Sequence, residues 1–359
     1  MKAAVLYKPG FPLPIEDVEL QKPQSGEVMI KLSAAGVCHS DYHFVSGFFT
    51  PTKIPLVMGH EGAGIVSEIG KNVKTVKVGD KVILSMDSMC GKCKNCTIGQ
   101  PTMCLTYPRT FKMPDGTTRF KKNDTELYHM VGTFSEYTVL PEDQLVLIPQ
   151  ETPLDKACII GCAVITGIGS VINRAKVKIG DTTAVFGCGG VGLNTIQGCS
   201  IAGASKIIAI DPVDSKLTKA IELGATHTIN PTKTDVVEEI HEITSGGVNF
   251  AFDVVGDPKV IKTAFKSTRP GGTTVIVGIP PTDLEISIKG WDILLDRTIM
   301  GAFHGGARAR HDFLWILDLY NNGKIKLDEL ITGYRPLNEI NEAFDDLING
   351  RSIRTVLTF

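Results

Sequence analysis

The feature that most constrains this chain is a glycine-rich turn, Gly187-Cys188-Gly189-Gly190-Val191-Gly192, set between an apolar run (TTAVFG) and a helical stretch (VGLNTIQGCSIAGA). Three glycines at this spacing are weak evidence alone; their setting gives them meaning. The first two allow a tight turn and close approach of backbone to a pyrophosphate, and the third lets the helix pack on the strand. The helix N-terminus adds positive potential and free N–H groups. Asp211 ends the next strand, KIIAID, 19 residues after Gly192. Its carboxylate would accept from the ribose hydroxyls and repel a 2′-phosphate, so the expected dinucleotide is NAD. Further strands (FAFDVV, TTVIVG) alternate with helical segments such as SKLTKAIEL, which Gly224 caps. Such alternation implies an α/β doubly wound parallel sheet with right-handed crossovers.

The texture before residue 163 is different. Short β-like runs (VMIKLSAAG, GAGIVSEIG, DKVILSM, EYTVL) punctuated by Gly and Pro suggest a β-rich domain with a loop-rich insertion at about 86–130. The last 55 residues or so return to mixed helix and strand and are read as rejoining the first domain. With 359 residues, two domains are comfortable. Lys plus Arg total 37 and Asp plus Glu total 39, a balance that gives no electrostatic reason to expect nucleic acid or an anionic membrane as partner. No apolar run approaches the roughly 20 residues of a membrane span. Lys8, the prolines after it, Glu16 and Asp17 break the N-terminal stretch, which does not read as a signal peptide. A cytoplasmic protein is expected, and its nine cysteines read as thiols, metal ligands or core residues rather than a disulfide framework.

Four of those cysteines, Cys90, Cys93, Cys96 and Cys104, are crowded into MCGKCKNCTIGQPTMC. Four thiolates at such spacings can close on one tetrahedral zinc, a structural site with no open position. Lys92 and Lys94 offset the surplus negative charge. A disulfide pair or an iron–sulfur cluster would use the same residues. Elsewhere, Cys38-His39-Ser40-Asp41-Tyr42-His43 and Gly59-His60-Glu61-Gly62 are polar knots. A catalytic zinc wants three protein ligands and one open position, which Cys38, His60 and one later cysteine could supply. Spacing does not choose between Cys158 and Cys162. Cys188 and Cys199 read as small buried thiols.

Together, GVCHSDYH, the GHEGAG run, the cysteine ribbon, CIIGCAVITG, GCGGVG, VGIPP and SIRTVLTF resemble the zinc-dependent medium-chain alcohol dehydrogenases over essentially the whole chain. The resemblance implies a GroES-like catalytic domain (1–163 and 304–359) with a Rossmann NAD-binding domain (164–303) inserted. It implies Cys38, His60 and Cys162 as catalytic zinc ligands, leaving Cys158 to the core. Glu61 would be an acid beside the metal that approaches it transiently, and Asp41 would orient His60 through its other ring nitrogen. Ser40 would take the alcohol's proton and pass it through the nicotinamide ribose to His43, and the hydride would go to NAD. His39, Arg354, Lys216, Val254 and Val277 join the glycine loop as cofactor contacts, with Arg354 and His39 at the pyrophosphate. Two zinc ions per chain and a homodimer or homotetramer are expected.

By family position, Phe49, Met86, Met130, Ile279 and Phe303 line the alcohol pocket. Two methionines make an adaptable apolar cleft, suited to medium aliphatic or aromatic primary alcohols. MPDGTTRF and FSEYTV are similar to runs of the glutathione-dependent formaldehyde dehydrogenase branch, but the segment from Cys104 to Met113 is shorter here. The arginine that holds glutathione's carboxylate in that branch is matched by Arg109 only with a register shift. CHSD, GDTT and Asp211-Pro212 also resemble bacterial alcohol dehydrogenases that hold their cofactor unusually tightly. A non-catalytic nucleotide-binding relative would be expected to lack a zinc ligand or the proton relay; this chain has both.

Overall fold

Strand Glu27–Gly36 organises the first half of the molecule because its residues alternate between a buried face and a more open one. In the computed structural model, which describes residues 1–49, 51, 53–107 and 111–359, three segments pair antiparallel with this strand. They are Ala63–Ile69, Tyr137–Pro141 and, from the far end of the chain, Arg354–Thr358. Its Val28, Ile30 and Leu32 pack with Val66, Val82, Leu84, Val131 and Leu140 into one apolar core. Ala35, three residues before Cys38 in sequence, belongs to a second core with Phe134, Phe344 and Leu357.

Contacts divide the chain into two units. One holds Met1–Cys162, Arg308–Asn321 and Leu327–Phe359, and the other holds Ala163–Ala307 with Asn322–Lys326. The sequence reading ended the inserted part at 303; the structure extends it. Gly305 lies so close to the helix Ala163–Gly169 that a Cβ on Gly169 would sit 2.6 Å from its carbonyl oxygen. Gln197 meanwhile hydrogen-bonds both the N–H and the C=O of Lys326, which draws 322–326 into the second unit.

The second unit contains a six-stranded sheet in which every pairing is parallel. In chain order its strands are Thr182–Phe186, Lys206–Ile210, His227–Ile229, Val248–Asp253, Thr268–Ile276 and Thr298–Gly301; across the sheet they run third, second, first, fourth, fifth, sixth. This is the doubly wound order, and the glycine loop leaves the first strand where the order reverses, the position at which such sheets bind ligands. Among the described residues no single helix is long and apolar enough to cross a membrane.

Candidate active site and zinc centres

Four short devices converge in the first unit. Cys38 caps the helix His39–Ser46, whose N-terminal potential favours a thiolate. His60 and Glu61 lie in a loop pressed against Thr133 and Phe134, with Gly59 in the left-handed region (φ +92°). Cys162 follows the turn Cys158–Gly161, where a Cβ on Gly161 would stand 2.6 Å from the Leu84 carbonyl oxygen. Arg354 begins the last strand. One ligand atom from each of Cys38, His60, Glu61 and Cys162 lies within 4.8 Å of the others, and all four residues are buried. Cys158 is not in the cluster; its thiol donates to the Asp155 carbonyl.

The hydrogen bonds fit a metal. His60 Nδ1 meets Asp41 Oδ1 at 2.9 Å, while His60 Nε2 is buried with no hydrogen-bond partner. Two sulfurs and a ring nitrogen held ready in this way are a donor set for zinc. The Cys38 thiol is held well below the usual range by the hydrogen bond from Cys162, with the charges of Arg354 and His60 helping. Burial pushes Glu61 up to about 7 against the pull of Arg354. That arginine is buried too; its guanidinium lies 3.3 Å from Glu61 Oε1 and donates to the Val37 carbonyl at 2.7 Å. Ser40 Oγ lies 3.7 Å from Cys38 Sγ. His43, one helical turn on, is half-buried, which pushes its pKa down, and neighbouring His39 lowers it further. His39 itself is exposed, its ring 6.4 Å from that of Tyr42.

The ribbon cysteines also come together. Cys90 and Cys96 sulfurs are 4.0 Å apart and those of Cys93 and Cys104 3.9 Å. Four sulfurs about 2.3 Å from one centre have tetrahedral edges of about 3.8 Å, whereas a disulfide needs about 2.05 Å. The Thr106 hydroxyl, then backbone N–H groups, draw Cys90 down to about 6.

In the second unit Gly187 and Gly192 of the loop have steric reasons to be glycine. Gly187 adopts φ +99°, and a Cβ on Gly192 would overlap the Gly187 carbonyl. A Cβ on Gly189 would meet nothing within 4 Å, leaving a bare cradle over which a phosphate can sit. Gly190 and Val191 start the helix Gly190–Ile201. Asp211 Oδ2 accepts from Cys188 N–H at 2.8 Å and Oδ1 from Val213 N–H at 2.9 Å, so one lone pair on each oxygen remains for a ribose. Lys216 is partly exposed, Val254 packs over Gly192, and Val277 N–H donates to the Asp253 carbonyl.

A cavity of about 290 Å³ opens in the first unit, lined by Met86, Met113, Met130, Phe111, Tyr107 and Lys112, with His129 and Gln144 among its polar groups. Met86 and Met130 were read from the sequence. Lys112, Phe111 and Tyr107 were not, because a loop with no periodicity gives no sign of where its side chains point. Phe49 packs its ring 5.8 Å from that of His43. Ile279 and Phe303 belong to the second unit, with the Phe303 ring largely exposed. Arg109 lies outside the described residues.

Comparison with known proteins agrees with this arrangement. Residues 24–150 match the alcohol dehydrogenase GroES-like domain family and residues 190–322 the zinc-binding dehydrogenase family. The chain is 42% identical to the S-(hydroxymethyl)glutathione dehydrogenase of Saccharomyces cerevisiae, covering 99% of this chain and 95% of the yeast protein. It is also 42% identical to the enzyme of that name from Paracoccus denitrificans, covering 100% and 99%. Among solved structures, benzyl alcohol dehydrogenase from Acinetobacter calcoaceticus superposes with a TM-score of 0.94 at 32% identity, covering 100% of this chain and 99% of that one. A GroES-like domain carrying a catalytic and a structural zinc site, joined to a Rossmann domain for NAD, places this chain in the zinc-dependent medium-chain alcohol dehydrogenase family.

Proposed function

We propose that the protein oxidises primary alcohols, of medium aliphatic or aromatic type, to aldehydes with NAD, reversibly. The observation that carries this is the methionine-lined cavity of about 290 Å³ in the unit that holds Cys38, His60 and Cys162. That volume is at the lower end of small-molecule pockets, ~300–1,000 Å³, and Met86, Met113 and Met130 give it an apolar wall beside the polar Lys112, His129 and Gln144. Zinc bound by Cys38, His60 and Cys162 supplies Lewis acidity, and NAD supplies the hydride acceptor. The chain's own groups do the rest. Asp41 fixes the His60 tautomer so that Nε2 faces the metal position. Ser40, beside Cys38, accepts the alcohol's proton. His43, three residues on and so on the same helix face, exchanges a proton with solvent; its lowered pKa keeps it a neutral acceptor at pH 7. Asp211 selects NAD, with His39, Lys216 and Arg354 as further cofactor contacts.

A second reading, oxidation of S-hydroxymethylglutathione, is supported by the names of the 42%-identical relatives and by Lys112 in the cavity wall, whose ammonium could meet a carboxylate. Turnover decides between them. The first reading expects the highest kcat/KM for benzyl or medium-chain alcohols; a tenfold or greater advantage for S-hydroxymethylglutathione, lost in Lys112→Met, would favour the second. A cytoplasmic location is supported by nine cysteines of which none forms a disulfide. A homo-oligomer is supported by strand Thr298–Gly301, which pairs on one side only among the described residues and follows the exposed Trp291 and Leu294 in sequence.

A further inference from the structure

Gly36 ends the central strand of the first unit, opposite Val356 on the last strand, and its N–H donates to the Glu61 carbonyl at 3.3 Å. Nothing in its backbone requires glycine, since it is a strand residue without positive φ. What it lacks is room for a side chain. A Cβ at this position would overlap Glu61 Oε2 and would stand 3.1 Å from Cδ and 3.2 Å from Cβ of that residue. Glu61 is fully buried, so its carboxyl occupies the space that any other residue would fill.

The carboxyl has few other places to go. Oε1 is drawn to Arg354, which the Val37 carbonyl holds in turn. Beside it lie Cys38, His60 and Cys162, whose ligand atoms are within 4.8 Å of a Glu61 oxygen. With Oε1 tethered, closing the space over Gly36 displaces Oε2, and those ligand atoms are within its reach. We propose that Gly36 is a positioning residue that keeps the Glu61 carboxyl parked against the strand backbone, off the fourth position of the zinc site, so that the position stays open for the alcohol. The inference rests on the zinc-site reading above. A fourth protein ligand would turn a catalytic site into a closed one.

Cobalt(II) in place of zinc makes the coordination visible, and imidazole probes the open position. In the cobalt-loaded wild type, imidazole binds with a change in the visible spectrum. Gly36→Ala should retain both metal ions per chain, change the cobalt spectrum before any ligand is added, and bind imidazole at least about tenfold more weakly. Gly36→Ala with Glu61→Ala should recover imidazole affinity to within about threefold of Glu61→Ala alone, a rescue that a merely structural glycine would not give. An unchanged spectrum and affinity in Gly36→Ala, or no recovery in the double variant, overturns the proposal. Glu61→Ala alone tests it with Gly36 in place, and so serves even if Gly36→Ala does not fold. A parked carboxyl predicts imidazole affinity within about threefold of wild type; more than about tenfold tightening means Glu61 already sits on the metal, and overturns it. A chain that takes up cobalt only at the cysteine ribbon overturns the zinc-site reading itself, whereas a loaded, open site indifferent to position 36 overturns the role of Gly36 alone.

Discussion

Replacing His129 with Gln should flatten the acid side of the protein's stability curve. His129 is buried in the wall of the cavity, its Nδ1 3.3 Å from the Thr118 hydroxyl and its Nε2 3.3 Å from the Val139 carbonyl. Burial pushes its pKa down to about 4, with the Arg119 charge adding to the effect. In the unfolded chain the same ring titrates near ~6.5. The unfolded state therefore binds the proton first as pH falls, and stability drops at up to about 1.4 kcal/mol per pH unit between ~6.5 and 4. Between pH 7 and pH 5 this single group removes about 2 kcal/mol. Gln has no such proton to bind and can still donate to the Val139 carbonyl. Other titrating groups are common to both proteins, so the difference between their curves isolates His129. The assay is urea unfolding of wild type and His129→Gln at pH 7, 6 and 5. The gap between them should move by about 2 kcal/mol in the variant's favour as pH falls. Curves that stay parallel across this range would show that His129 is not held neutral, and the account of its burial would fail.

Three further outcomes follow from the sites. Asp211→Gly should lower the ratio of kcat/KM for NAD over NADP at least about tenfold, because a buried like-charge contact with the 2′-phosphate costs several kcal/mol; an unchanged ratio would mean that Asp211 does not read the ribose. His39→Arg should slow NADH release about tenfold at neutral pH and flatten its pH profile, since arginine stays charged where histidine does not; stopped-flow displacement measures this, and identical profiles would remove His39 from the pyrophosphate. Cys93→Ala should lose about one zinc per chain and lower the melting temperature, as a structural site contributes folding energy; a wild-type metal count and melting curve would mean the ribbon holds no metal.

The nucleotide loop was legible in the sequence because the glycine spacing falls between an apolar strand and a helix, with an acidic residue at the end of the next strand. Gly192 has no space for a Cβ beside Gly187, and Asp211 falls at the end of the adjacent strand, its carboxylate on the loop N–H. The four ribbon cysteines were legible for a similar reason: a short polar segment leaves few ways to satisfy four thiols. Cys158 and Cys162 could not be told apart from spacing, and only the resemblance chose Cys162. The reason lies in packing: Gly161 lets the turn approach the Leu84 carbonyl, which brings Cys162 to Cys38 and leaves Cys158 bonded to Asp155. The role of Gly36 left no trace in the sequence, since a glycine that makes room for a side chain 25 positions away looks like any other strand glycine. Arg354, read as a cofactor contact, has a second set of partners that the sequence did not show: its guanidinium meets Glu61 and the Val37 carbonyl, links that join the last strand to residues more than 290 positions earlier.

The central claim is that Cys38, His60 and Cys162 hold a zinc on which alcohol oxidation by NAD depends. Metal analysis of wild type and Cys162→Ala, paired with alcohol-dependent NADH formation by the same samples, tests it most directly. Wild type should carry about two zinc ions per chain and reduce NAD with a primary alcohol; Cys162→Ala should keep its fold, carry about one, and lose turnover by several orders of magnitude. A folded Cys162→Ala protein that retains full zinc content, or that turns over alcohol at the wild-type rate, would contradict the account.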